Sequence, residues 1–406
     1  MLPVLGIMVT SHVTEHHQRW YPIFPTGDLR VYISKYEDLA AFCDRAASSR
    51  ILAVDTEFLR EKTYFPKLCL IQIATHDESA CVDPLAIDDL TPLCNLLTDQ
   101  RITKIFHACT QDLEVIFYSL GVVAAPVFDT QLAAAFLGLR QQVGYGVLVE
   151  HYTGVRLPKA DSLTDWSRRP LDEEQLAYAE DDVRYLPGIY DAMMTQLVAK
   201  DRLGWLRPEM DELADRSHFE RIPEQAYLHL KRSSSLTRRQ LAVAREVCAW
   251  RERRAAERNI PRKWLVSDEI LVEVSKRSPK TMDRLRRIRG TEQISEAEAE
   301  GLLRAVRKGL AIGPTDLPAT KRRERTSAEA EGAIDLMYAL LRIISERSGI
   351  APQLIATRED LVDLAAGREG CRLSSGWRYE LAGSRLSRLL SGEIGLTVKD
   401  GRVEVL

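Results

Sequence analysis

The sequence predicts an α/β domain, a mixed sheet flanked by helices, followed by two small all-α helical bundles. Three observations predict it. From Arg30 onward, short β-rich runs alternate with amphipathic helical stretches. After Pro208 the strands stop and only helical periods remain. The charge divides near the same place: residues 1–230 carry 21 Lys and Arg against 34 Asp and Glu, whereas residues 231–325 carry 25 against 13. An acidic front half suits the gathering of cations, and a basic middle suits a polyanion. At 406 residues the chain has the length of two or three domains.

Residues 1–27 hold Pro3, Pro22 and Pro25 without a clear period and read as an extension with little structure of its own. Residues 28–225 form the α/β domain. Within it, 31–34 reads as a strand and 36–47 as an amphipathic helix. Strands follow at 51–56, 68–74 and 80–83, then a helix at 90–97 and a strand at 104–107. The pattern then turns helical, at 111–120, 130–137, 146–152 and 172–198. Residues 226–312 form the first bundle. Its leading helix, 237–259, spaces Leu241, Ala244, Val247 and Cys248 at a helical period, and Asn259-Ile260-Pro261 closes it. Shorter helices follow at 267–276, 281–288 and 295–309. Residues 313–326, with Pro314, Pro318 and Lys321-Arg322-Arg323, read as a linker. Residues 327–406 form the second bundle. Its start, Met337 to Ser348 followed by Gly349, repeats the spacing of Val247 to Asn259 and indicates a duplicated module.

With 45% hydrophobic and 28% charged residues, the composition excludes wholesale disorder and collagen-like repetition. No apolar run approaches the about 20 residues that a membrane helix needs. The apolar opening through Val9 has no basic residue before it and no clear cleavage site, so no secretory signal is expected. Seven scattered cysteines, none in a C-x-x-C pair, point to neither a zinc cage nor a disulfide framework. They fit buried thiols in a reducing cytosol.

The informative stretch is Ile51-Leu52-Ala53-Val54-Asp55-Thr56-Glu57-Phe58. An apolar strand ends in two acids, and alternation along a strand puts Asp55 and Glu57 on one face. Two carboxylates held so close repel each other unless a cation sits between them. Alone, such a pair also describes a solvated strand end. Asp112 falls in the first turn of the next helix, with Thr110 as the expected N-cap. In Tyr178-Ala179-Glu180-Asp181-Asp182, a rotation of about 100° per residue places Tyr178 and Asp182 on one helix face, with Asp181 turned elsewhere into solvent. Three acid sites in this order within one α/β unit make a candidate metal-binding constellation.

Asp55-x-Glu57, Asp112 and Tyr178-x-x-x-Asp182 resemble the three motifs of the DEDD exonuclease superfamily, in its tyrosine-bearing subgroup. The surrounding words resemble the ribonuclease D family: Val54-Asp55-Thr56-Glu57-Phe58, Leu70-Ile71-Gln72-Ile73-Ala74, His107-Ala108, Asp112-Leu113-Glu114, Phe128-Asp129-Thr130-Gln131 and Thr164-Asp165-Trp166 with Arg169-Pro170-Leu171. Trp250-Arg251, Ala255, Pro261, Val266-Ser267-Asp268 and Leu271 resemble the helicase-and-RNase-D C-terminal (HRDC) domain. Ile350-Ala351-Pro352 and Gly376-Trp377-Arg378 resemble its divergent second copy. The extension departs from the family pattern, and Met8 is a candidate alternative start.

The resemblance implies a ribonuclease H-like exonuclease domain followed by two HRDC-like bundles. It also implies a 3′–5′ exoribonuclease that removes 5′-monophosphates from RNA 3′ ends, those of precursor tRNA among them, as a cytoplasmic monomer with no membrane partner. Asp55, Glu57, Asp112 and Asp182 would hold two divalent ions, Mg²⁺ or Mn²⁺, which suit hard oxygen ligands. Tyr178, with an ordinary pKa of about 10, would orient the attacking water rather than deprotonate it. Phe58 is a candidate to stack on the terminal base, and His107, Trp166 and Arg169 are candidates to touch substrate; strand ending for His107 and loop packing for Trp166 and Arg169 are the simpler readings. Asp129 reads as a helix cap or a supporting partner. Arg251, Arg253, Arg254, Lys263, Arg286, Arg287 and Arg289 would attract phosphate without reading sequence. Two rival readings are a DNA exonuclease and a nucleic-acid-binding scaffold with a decayed site; the presence of all four acids and the tyrosine disfavours the second.

Overall fold

The computed structural model describes residues 31–158, 164–319 and 328–406. The expected extension and the Lys321-Arg322-Arg323 cluster lie outside them.

The α/β domain is built on a six-stranded sheet with the order β1-β4-β3-β2-β5-β6. Its strands are β1 (Val31–Ile33), β2 (Ile51–Leu59), β3 (Lys67–Ala74), β4 (Ser79–Val82), β5 (Thr103–Phe106) and β6 (Val127–Asp129). Helices α1 (Tyr36–Ala46), α2 (Thr91–Thr98), α3 (Thr110–Leu120), α4 (Thr130–Leu137), α5 (Tyr145–Thr153), α6 (Glu173–Arg184), α7 (Leu186–Ala199) and α8 (Leu203–Leu213) are distributed among and after them. β3 runs antiparallel to both of its neighbours, β2 and β4, while β1 is parallel to β4 and β5 is parallel to both β2 and β6. The sheet is therefore mixed, as expected. Its centre is nearly continuous apolar sequence because helices cover both faces: Leu52, Val54, Ile71, Ile73 and Ile105 are all buried.

The structure corrects the sequence reading at four places. β2 extends through Glu57 to Leu59, pairing with β3 across a bulge between Glu57 and Phe58. The two acids thus lie within a long strand rather than at its end. β6 was not expected, because a strand of three residues, Val127-Phe128-Asp129, is too short to show a period. The single helix expected at 172–198 is two, α6 and α7, meeting at Tyr185 where Pro187 occupies the first turn of α7; proline lacks the N–H that a continuing helix would bond. Finally, strands do not stop after Pro208. β7 (Leu396–Lys399) and β8 (Arg402–Val405) form a hairpin whose turn, Asp400-Gly401, has positive φ at both residues, 51° and 76°.

The first helical unit comprises α9 (Arg238–Glu257), α10 (Arg262–Leu265), α11 (Asp268–Arg277), α12 (Met282–Arg286) and α13 (Glu296–Leu310). A capping box joins Thr237 to Gln240 at the start of α9. The backbones of α9 and α13 approach so closely that a Cβ on Gly309 would lie 2.5 Å from Val243 Cα. The second unit comprises α14 (Ala328–Ser348), α15 (Pro352–Ile355), α16 (Arg358–Ala365), α17 (Gly376–Arg378) and α18 (Ser384–Leu390). Both units open alike: a long helix, a left-handed residue (Asn259, φ 47°; Gly349, φ 71°) and a four-residue helix. An extended residue (Val266 or Ala356) and a hydroxyl N-cap (Ser267 or Thr357) follow in each.

Both units dock on the α/β domain. The Trp377 indole N–H donates to Glu209 at 3.0 Å, the Arg378 guanidinium grips the same carboxylate, and the Trp377 ring meets Phe136 edge-on. On the other side, Tyr64, in the β2–β3 connection, enters the core of the first unit.

Candidate active site

The site follows from the middle of β2. Asp55 and Glu57 share the sheet face crossed by α6, which packs over β2, β3 and β4. A helix turn separates Tyr178 from Asp182, so the face of α6 that meets the sheet carries both. Asp55, Glu57 and Asp182 each offer a carboxylate oxygen, and the three atoms lie within 4.8 Å of one another. Asp112 arrives from the other direction. It sits in the first turn of α3, and the Thr56 hydroxyl donates to its Oδ1 at 2.5 Å. Its oxygens stand outside the tight group of three, yet its charge acts on Asp55, Glu57 and Asp182.

Electrostatics express the crowding. Burial, followed by the charges of Asp112, Asp182 and Glu57, pushes the Asp55 carboxyl well above the usual range. Burial raises Glu57 to about 8, with help from Asp182 and Asp112, and raises Asp182 to about 7. Asp112 rises to about 6, again mainly through burial, while the Thr56 hydrogen bond opposes the rise. Carboxyls that resist ionisation together form a site that a cation would stabilise. The donor set is oxygen throughout, which fits a hard divalent ion. Tyr178 is hydrogen-bonded to Asp182, and burial together with the surrounding carboxylates raises its phenol above the ordinary tyrosine value.

Supporting residues hold this arrangement. The Asp129 carboxylate accepts from the backbone N–H groups of Ala108 and Cys109, at 3.2 and 2.8 Å, and of Gln131 and Leu132, at 2.8 and 3.1 Å. It thereby caps α4 and fixes the turn that launches α3, where Ala108 has a φ of 60°. Cys109, not Thr110, is the N-cap of α3, and no side chain caps it; Thr110 is already helical.

The candidates for substrate contact part ways. His107 has both ring nitrogens engaged internally, by the Thr130 hydroxyl at 2.9 Å and the Val143 carbonyl at 3.1 Å. Arg169 pairs with Asp83 through two nitrogens, at 2.6 and 2.7 Å, and donates to the carbonyls of Cys69 and Trp166. Its guanidinium closes the loop before α6 instead of facing outward. Trp166 is buried, its ring centroid 6.2 Å from that of Tyr178, and Phe58 is half-buried against the domain core. Asp181 is half-buried rather than solvated. Among the basic residues, Arg251 is buried and bonded to Asp268 and the Val266 carbonyl, so it serves the bundle; Lys263, Arg287 and Arg289 are exposed.

Two site neighbours escaped the sequence reading. Tyr145 donates from its hydroxyl to the Asp181 carbonyl at 2.7 Å and lies near Asp182 and Asp55. Gln72 stands opposite Asp55 in the β2–β3 register. It stands within the Leu70-to-Ala74 run, but only the register places it opposite Asp55; for Tyr145 the sequence carried no signal.

Comparison with known proteins places the chain in a family. The 3′–5′ exonuclease domain family matches residues 30–198, and the HRDC domain family matches residues 240–311. The ribonuclease D of Acidiphilium cryptum is 40% identical over 95% of this chain and 98% of its own length. That of a Jannaschia species is 39% identical over 92% of this chain and 98% of its own. The crystal structure of Escherichia coli RNase D, described as an exoribonuclease involved in structured RNA processing, superposes with a TM-score of 0.79 at 32% identity. It covers 89% of this chain and 98% of that one. With its likeness running from the carboxylate-bearing sheet through the helical region, the chain belongs to the ribonuclease D family.

Proposed function

We propose that the protein is a metal-dependent 3′–5′ exoribonuclease that releases 5′-mononucleotides from RNA 3′ ends, with precursor tRNA among its substrates. The convergence of Asp55, Glu57 and Asp182 within 4.8 Å carries this reading. Asp55, Glu57 and Asp182, with Asp112 beside them, would hold two divalent ions, Mg²⁺ or Mn²⁺. Such ions supply Lewis-acid activation of the attacking water and neutralise charge at the scissile phosphate.

The chain's own groups have separate tasks. Tyr178, kept protonated by its surroundings, works as a hydrogen-bond donor that orients water and holds Asp182. Asp129 and Thr56 keep Asp112 in place. Exposed Lys263, Arg287 and Arg289 supply phosphate attraction from the first helical unit. Phe58 remains the candidate for contact with the terminal base.

The same reading divides the chain at residues 28–225, 226–312 and 327–406, with the last a divergent HRDC-like copy, as the shared opening of the two helical units supports. It takes the protein as a monomer of the cytoplasm; among the described residues no helix is long and apolar enough to cross a membrane. Digestion of matched RNA and DNA oligonucleotides tests the function. RNA should yield nucleoside 5′-monophosphates in Mg²⁺ and none in excess chelator. Equal cleavage of DNA, or chelator-insensitive release, would contradict it.

A further inference from the structure

Gln72 is fully buried, and neither its Oε1 nor its Nε2 has a hydrogen-bond partner. Nearly all buried polar side-chain atoms in folded proteins are paired, so a doubly orphaned carboxamide calls for an explanation. Its position supplies one. Gln72 pairs directly with Asp55 on β2 and with Cys81 on β4. Directly opposed residues of antiparallel strands put their side chains on one face, with Cβ atoms about 5 Å apart. Gln72 therefore shares the face of Asp55 beneath α6. Nearest to it on that face and on α6 above are Leu70, Cys81 and Ala179, members of one buried cluster. A thiol is a weak partner and the other two offer no side-chain donor or acceptor. Ser79, on the same face of β4, already donates to the buried Glu180 carboxylate at 3.0 Å, so the Asp55 carboxylate is the strong acceptor set directly opposite the amide.

We propose that Gln72 is the positioning residue of Asp55. Its amide N–H, otherwise unpartnered, donates to one carboxylate oxygen of Asp55 when a divalent cation binds, and so fixes which oxygen faces that cation. Glutamine provides this without adding charge to a site that already crowds four carboxyl groups. It also reaches across the strand pair without disturbing the ladder, since β3 makes its main-chain bonds normally at this register. The inference rests on Asp55 being a metal ligand. It goes beyond that assignment in giving a task to a buried side chain outside the acidic set.

The test is titration of the full-length, metal-free protein with Mn²⁺ by calorimetry, alongside thermal unfolding without metal. Gln72→Met keeps the length and volume of the side chain and removes both orphaned polar atoms. The expected result is Mn²⁺ affinity lowered about tenfold or more, as when partners of metal ligands are removed, with a metal-free Tm equal to or above that of the wild type. Gln72→Leu provides a second apolar substitution should the methionine variant fold poorly. Affinity within twofold of wild type overturns the proposal, as does a loss of affinity matched by a lower metal-free Tm, which would assign Gln72 to packing. Asp55→Asn separates the two layers. If it binds Mn²⁺ as wild type does, the ligand assignment itself fails; if it loses binding while Gln72→Met does not, only the role of Gln72 fails.

Discussion

The Thr56 hydroxyl donates to Asp112 Oδ1 at 2.5 Å, tying the strand that carries Asp55 and Glu57 to the first turn of α3. Thr56 lies between the two acids in sequence but points to the opposite face of β2. One strand thus presents two carboxylates on one side and anchors a third from the other. Thr56→Val keeps the shape and removes the donor, leaving a buried carboxyl less satisfied, at a cost of about 1–3 kcal/mol. Denaturant unfolding should show that loss, and activity should fall as Asp112 loses its anchor. Unchanged stability and turnover would separate Asp112 from the working site.

The raised carboxyl groups predict how the metal-free protein responds to pH. Glu57 rises to about 8 and Asp182 to about 7, well above their values in an unfolded chain. Between about pH 4 and pH 8 the folded state therefore holds more protons than the unfolded state, and stability falls as pH rises. In chelator, Tm should be lower at pH 8 than at pH 6 by at least about 3 °C. Mg²⁺ should abolish most of that difference, and Glu57→Gln should flatten it. A metal-free Tm that climbs through this range would show that the acids are not crowded.

Tyr178→Phe removes the hydroxyl bonded to Asp182 while keeping the ring against Trp166. Turnover should fall, by less than the loss of a carboxylate causes. Because the phenol stays protonated, the wild-type rate should show no alkaline limb assignable to Tyr178 below about pH 10. A limb near neutral pH that vanishes in Tyr178→Phe would make the tyrosine a base.

Further from the chemistry, Asn259 Oδ1 accepts from the backbone N–H of Tyr64 and of Phe65, both at 3.1 Å, and the Tyr64 hydroxyl donates to Glu252 at 2.7 Å. The Arg221 guanidinium lies 4.9 Å from the centre of the Tyr64 ring. The connection leaving β2 is thus held by the first helical unit. Asn259→Ala should expose the two amides, raising their hydrogen-exchange rates while α9 stays protected. Unaltered exchange would show that the contact does not hold the connection.

Much of this was readable from local periods. Strand alternation placed Asp55 beside Glu57, and helix rotation placed Tyr178 over Asp182, because both rules act within one element. The crossing of α6 over β2 was not readable, since no local period states which strand a distant helix covers. Loop residues misled for a related reason. His107 and Arg169 carry groups that suit a phosphate, yet each is satisfied by residues far away in sequence, Val143 for one and Asp83 for the other. The β7–β8 hairpin was signalled by Asp400-Gly401 and obscured by the helical pattern before it.

The most direct measurement is hydrolysis of a 3′-extended tRNA in Mg²⁺ by Asp55→Ala and Asp182→Asn, each checked for native circular dichroism. Both variants should lose activity by more than the about 100-fold in metal affinity or activity that removing a partner of a metal ligand costs. Trimming of the extension at the wild-type rate by either folded variant would contradict the account.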